Sequence, residues 1–198
     1  GYQALCGVTP DLATFGKGMG NGYPIAALVG RAAIMHYARL VSGTFGGDCI
    51  GLAAADATLA RYQQGGVCEH MWRIGRALMD GYNALAEKHG VPTRAVGQAP
   101  HPVIRWDEEL NKTEYWGDGT YASERFQNRH RASLFFQETV KRGILLGPDG
   151  GNVMLAHSDE DVTTTLRACA EAMEIVRAAI KTGTVREQII GAPIDPKP

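Results

Sequence analysis

The sequence predicts an α/β protein. Short apolar runs bounded by Gly and Pro alternate with segments whose apolar residues recur every three or four positions. The two kinds of segment interleave from one end of the chain to the other, as in an α/β architecture. The 198 residues are 44% hydrophobic, enough to bury a core of ordinary domain size.

The elements follow in order. "PDLATFG" (10–16) is extended and leads into a glycine-rich segment. "YPIAALVGR" (23–31) is an apolar run between Pro and Gly and predicts a buried strand. "RAAIMHYARL" predicts a short helix and "VSGTFGG" a loop. Asp48 is placed to N-cap an alanine-rich helix, "CIGLAAADATLARY", which "QQGG" (63–66) breaks. Met71, Ile74, Leu78, Tyr82 and Leu85 then form one helical face, ended at "KHGVP". Strands are expected at "TRAVG" and "HPVIRW", followed by a polar loop containing "NKTEYWGDGT". A helix is expected over "SERFQNRHRASLFFQETVKRG", with Gly143 terminating it. "ILLGPDGGNVMLAH" predicts two short strands about a turn. Ser158 and Asp161 begin the last helix as a capping box, and Val162, Leu166, Cys169, Met173, Val176 and Ile180 are its apolar stripe. The tail "GAPIDPKP" is extended. "QQGG" is the expected boundary between two parts of the chain.

Composition excludes several functions. A formal net charge of −1 leaves no electrostatic footprint for nucleic acid or an anionic membrane. No apolar run approaches the roughly 20 residues that span a bilayer. Cys6, Cys49, Cys68 and Cys169 form no CxxC pair, and the expectation is free, buried thiols in a reducing cytoplasm. Six histidines show no HExxH or paired-ligand spacing, so no metal site is expected. His157 reads as a capping or packing residue, and Trp72, Trp106 and Trp116 as core or loop anchors. The chain does not begin with Met, and it reads as part of a longer one.

One stretch carries chemistry. "TFGKGMGNGYP" (14–24) sets Lys17 among four glycines. It is not a phosphate loop: a Walker A spacing would need glycine at Asp11, and Gly18 follows the lysine where Ser or Thr would bind magnesium. A dinucleotide fingerprint starting at Gly16 and Gly18 would need glycine at Asn21. An arbitrary glycine-rich turn is a surface hairpin with a solvated lysine. Here two apolar strands flank it, which predicts partial desolvation. Burial favours the uncharged amine, the form that attacks a carbonyl cofactor to make a Schiff base. Glycines would let the backbone pass close to a flat ring. Asp11 reads as fixing the turn before the strand.

"GVTPDLATFGKGMGNGYPIAALVGR" resembles the cofactor-lysine segment of class III pyridoxal-phosphate-dependent aminotransferases: Pro-Asp, then Gly-Lys, a glycine cluster, Pro and an apolar strand ending near Gly-Arg. "SGTFGGDCIGLAAADATL" resembles the family's next landmark, a Gly-Thr loop opening an alanine-rich helix. The resemblance implies that Lys17 binds pyridoxal 5'-phosphate covalently. It implies that Gly43, Thr44 and Phe45 lie at the cofactor phosphate of a neighbouring subunit, making the active unit a homodimer. A hydroxyl and free backbone N–H groups ahead of a helix suit such a dianion. "RGILLGPDGGNVMLAHSDEDVTTTL" continues the resemblance, nearest to the glutamate-1-semialdehyde aminomutase-like branch. There are departures: the phosphate loop reads "TFGGD", and no arginine lies in "GPDGGNVMLAHSDED" (147–161), where many amino-acid transaminases hold a substrate carboxylate.

The fold so implied is the C-terminal part of a fold-type I pyridoxal-phosphate-dependent transferase. Residues 1–64 would close the large cofactor domain with its interdomain helix, and 65–198 would form the small α+β domain. The family's ring-stacking aromatic and the acid that pairs with the ring nitrogen would lie upstream. The implied activity is amino transfer between an amine or amino acid and a carbonyl acceptor. The alternatives are an intramolecular aminomutase, or a catalytically silent fragment acting as an interaction module.

Overall fold

The computed structural model describes residues 2–38, 43, 46–106, 129–147 and 151–194, and the chain divides into two compact units, 1–67 and 68–198.

The first unit opens with α1 (Tyr2–Cys6) and β1 (Leu12–Phe15), then a 3₁₀ turn over Lys17–Met19, β2 (Ala27–Gly30) and α2 (Ala32–Met35). Strands β1 and β2 pair antiparallel, from Leu12 opposite Gly30 to Phe15 opposite Ala27. The base of this hairpin is tied twice. The Arg31 backbone N–H donates to the Asp11 carbonyl at 3.0 Å, and its guanidinium donates to the Asp11 carboxylate at 2.9 Å. Asp11 thus fixes the strand's start. Helix α3 (Cys49–Gln63) begins where Asp48 accepts a hydrogen bond from the Gly51 backbone N–H at 2.7 Å. Gly65 and Gly66, at φ +79° and +76°, end the helical run.

The second unit holds α4 (Val67–His89), β3 (Arg94–Gln98), β4 (His101–Arg105), α5 (Arg129–Lys141) and α6 (Asp159–Thr182). β3 and β4 form an antiparallel hairpin, with Val96 opposite Val103. The core gathers Tyr82 from α4, Trp106 after β4, Leu134 and Phe135 from α5, and Met173 and Val176 from α6. The Tyr82 and Phe135 rings meet edge to face at 5.8 Å. Asn83 clamps α4 to β3, accepting from the Ala95 N–H at 2.8 Å and donating to its carbonyl at 3.1 Å. Burial pushes the Tyr82 phenol well above the usual tyrosine range, opposed by its hydrogen bond to Thr93. Helix α6 carries the capping box formed by Ser158 and Asp161 and stops at Gly183, φ +72°.

Three expectations are corrected. "YPIAALVGR" forms a strand, but Val29 is exposed and Leu28 only half-buried. Among the described residues β2 pairs only with β1, and two strands cover neither face. The segment 144–157 has no strand among its described residues. The Ile144 N–H goes back to the Thr139 carbonyl, while Gly151 and Val153 donate singly to Pro102 and Pro100, so no ladder forms. Three of the four free cysteines, Cys6, Cys49 and Cys68, are exposed, and only Cys169 is buried. Residues 107–128, with the expected polar loop, Trp116 and the first turns of the helix expected from Ser123, lie outside the described residues.

Candidate active site

Lys17 sits at the tip of the β1–β2 hairpin, as the first residue of the 3₁₀ turn. Its backbone is left-handed, φ +51°, and so is that of Asn21 at +48°. Non-glycine residues are uncommon there, and such strain collects where surrounding structure over-determines the chain. The over-determination is visible. The Lys17 carbonyl accepts from the Gly20 and Asn21 N–H groups at 3.1 and 3.0 Å. Met19 N–H donates to the Gly16 carbonyl at 3.1 Å, and Tyr23 N–H to the Gly20 carbonyl at 3.1 Å.

The desolvation expected from the flanking strands is not supplied within this unit: the Lys17 side chain is exposed. Its ammonium makes no hydrogen bond or ion pair with any described residue. Gly18 and Gly22 beside it face open space. An unpaired amine on a left-handed turn bordered by glycines fits the demands of a carbonyl cofactor carrying a planar ring.

Of the other expected site residues, Gly43 is exposed and its carbonyl accepts from the Gly46 N–H at 3.0 Å. Thr44 and Phe45 lie outside the described residues. Helix α3 follows this loop, and its first turn packs on the segment after Lys17: the Gly51 Cα lies beside Ile25 and the Pro24 carbonyl. Sequence reasoning passed over Gly51. The signal was there, since a glycine inside an alanine-rich helix costs about 1 kcal/mol and calls for a packing reason.

Polar groups of the second unit build structure. His157 Nδ1 accepts from the Met154 N–H at 3.0 Å, and its carbonyl accepts from His70 Nε2 at 2.8 Å. His157 therefore ties the α6 entry to α4. Asp159 pairs with Arg73, whose hydrogen bond and charge hold the carboxyl below its usual range. Glu138 is buried, which would raise its pKa, but hydrogen bonds from Lys141, Gln137 and Arg142 outweigh burial and hold it low. Burial pushes the Cys169 thiol up to about 12. Among the described residues no group of His, Cys, Asp and Glu could hold a metal ion. No helix of the described residues is long and apolar enough to cross a membrane.

The fold is the C-terminal part of a pyridoxal-phosphate-dependent transferase. The chain belongs to the class-III aminotransferase family, whose model matches residues 1–180; family members use pyridoxal phosphate. Glutamate-1-semialdehyde 2,1-aminomutase 2 of Brevibacillus brevis is 31% identical over 182 residues, covering 88% of this chain and 41% of that protein. Glutamate-1-semialdehyde 2,1-aminomutase of Laribacter hongkongensis is 34% identical over 182 residues, covering 87% and 41%. The chain thus spans about 41% of the length of these curated relatives. Among solved structures, the FumI protein of Sphingopyxis sp. MTA144, in its PLP internal aldimine form, superposes at a TM-score of 0.75. Its identity is 27%, over 91% of this chain and 40% of that one. An omega-transaminase from Sphaerobacter thermophilus gives 0.73 at 23% identity, over 89% and 41%, a likeness of fold.

Proposed function

We propose that the protein containing this chain transfers an amino group between an amine or amino acid and a carbonyl acceptor, with pyridoxal phosphate held on Lys17. The observation that carries this reading is the unpaired Lys17 amine on its strained, glycine-bordered turn. When bound, the cofactor supplies the electron sink that lets a substrate carbon lose and regain a proton. The chain's residues do the rest. Lys17 Nζ would hold the cofactor covalently and, once displaced by the substrate amine, would be the base that takes the proton from the substrate carbon and returns it. The hydrogen bonds to the Lys17 carbonyl keep the turn in place while the amine moves.

Thr44, with Gly43 and Phe45, would bind the cofactor phosphate of a partner subunit, making the working unit a homodimer. In this reading residues 1–64 end the large domain and 65–198 form the small one, and the division of the chain near Val67 supports it. The four free cysteines support a reducing, cytoplasmic setting. The names of the relatives at 31% and 34% identity favour a second reading, an intramolecular aminomutase in which the product of the first half-reaction stays bound for the second.

Borohydride reduction of the cofactor-loaded complete protein, followed by peptide mapping, tests the assignment. The reduced adduct is expected on Lys17, and Lys17→Ala should abolish both the adduct and the visible absorbance. An adduct on another lysine refutes it.

A further inference from the structure

The Lys17 turn is seated on a very small buried cluster. Among the described residues between 2 and 66, the buried positions are Gly20, Gly51 and Ala55. Neither glycine is there for its backbone freedom: Gly20 lies at φ −89° and Gly51 is inside α3. Space demands Gly20, where a Cβ would overlap the Tyr23 carbonyl oxygen and come within 2.6 Å of Ile25 Cγ2. A Cβ on Gly51 would stand 3.2 Å from its cap, the Asp48 carboxylate, and in ordinary contact with Ile25 Cβ at 3.4 Å and the Pro24 carbonyl oxygen at 3.5 Å. Half-buried Ile25 is wedged between the turn that carries Lys17 and the first turn of α3.

The wedge reaches the lysine through one hydrogen bond, because Gly20 N–H donates to the Lys17 carbonyl. A shift of Gly20 moves the residue whose side chain holds the amine. On the other side, Gly51 N–H is the group that Asp48 caps, at the end of the loop containing Gly43. Ile25 therefore lies between the turn that carries Lys17 and the first turn of α3.

We propose that Ile25, seated between Gly20 and Gly51, is a positioning residue that sets the placement of the Lys17 turn, and with it the amine, by holding it against the first turn of α3. This rests on the reading of Lys17 as the cofactor lysine. Ile25 touches no reacting atom; it acts through the turn. What matters in it is the β-branch, since Cγ2 is the atom against Gly20.

That detail makes a shape test possible. Ile25→Val keeps Cγ2 and loses one methylene group; Ile25→Leu keeps the volume and loses the β-branch. The complete protein, stripped of cofactor, is reloaded with pyridoxal phosphate while visible absorbance is followed, and each variant's Tm is measured without cofactor. Ile25→Leu should attach cofactor about tenfold more slowly or worse, since misplacing a reacting group by about 1 Å can cost on the order of 10²-fold. Its Tm should match wild type, and Ile25→Val should restore the rate. A space-filling role gives the reverse order, with Leu tolerated and Val impaired. That order, a wild-type rate for Ile25→Leu, or slowing that tracks a lowered Tm or loss of folding overturns the proposal. Mapping the reduced adduct in the wild type tests the Lys17 assignment separately, so the two can fail independently.

Discussion

At the scale of residues, two side chains make sharp tests. Glu138 is buried with its carboxylate held low by Lys141, Gln137 and Arg142, against the burial that would raise it. Its folded pKa lies below the ordinary value of 4.5, so its contribution to stability is complete above that value and disappears as pH falls through the lowered one. A thermal melt series should show Tm falling in that acid window, with Glu138→Gln flattening the fall there and lowering Tm at neutral pH. An identical pH profile in the variant would dismiss the role. Thr44 tests the phosphate assignment. A charge-assisted hydrogen bond is worth roughly 1.5–3 kcal/mol, so Thr44→Val should weaken cofactor affinity by about 10- to 150-fold. Attachment to Lys17 should still occur at saturating cofactor; equilibrium titration measures both, and an unchanged Kd removes Thr44 from the site.

At the scale of elements, α4 is held by two missing side chains. A Cβ on Gly75 would run into the Ala99 carbonyl oxygen, part of the β3–β4 turn, whereas a Cβ on Gly81 would press the end of the Leu166 side chain on α6. Backbone cannot yield as a leucine methyl can. Alanine favours a helix over glycine by about 1 kcal/mol, but overpacking costs about 1–3 kcal/mol. Gly75→Ala should therefore lower stability by up to about 2 kcal/mol, clearly more than Gly81→Ala; denaturant melts give the order, and the reverse order would mean the turn moves freely. Neither glycine could be placed against its neighbour from sequence, because the neighbour is far along the chain. What local chemistry decides was legible: the Asp48 cap, the capping box of Ser158 and Asp161, the stops at Gly65 and Gly143, and the face of α4 through Ile74 and Tyr82. What depends on covering layers was not. The composition of β2 states only that the strand can be buried, and within this unit Val29 is exposed. The same gap misjudged Lys17, Cys6, Cys49 and Cys68, all exposed. Segment 144–157 failed for another reason: among its described residues the paired N–H groups reach isolated carbonyls or, at Met154, the His157 ring, so apolar content has no ladder to join.

At the scale of the whole molecule, the two units are unequally equipped. The second buries Tyr82, Trp106, Leu134, Phe135, Met173 and Val176 in one cluster, closed by helices of 23 and 24 residues. The first leaves Leu12, Phe15, Val29, Ile50, Leu52 and Leu59 exposed, and among the described residues no further strand pairs with either edge of its hairpin. Apolar surface and open strand edges of that kind call for a covering partner or invite aggregation. In the proposed enzyme the cover would come from the rest of the large domain. The 198 residues alone should therefore be cut first within the stretch up to Gly66, where glycines end α3, and a core from about Val67 onward should survive. The same chain should bind pyridoxal phosphate poorly and turn over no amine, because Lys17 stands in water and the chain spans about 41% of the length of its curated relatives. Limited proteolysis with mass mapping, alongside an absorbance titration with the cofactor, reads both expectations. A protease-resistant first unit, or catalysis of amine transfer by a monomer of these residues, would mean that the hairpin and α3 suffice by themselves. The proposal that Lys17 works inside a larger, two-subunit site would then have to be abandoned.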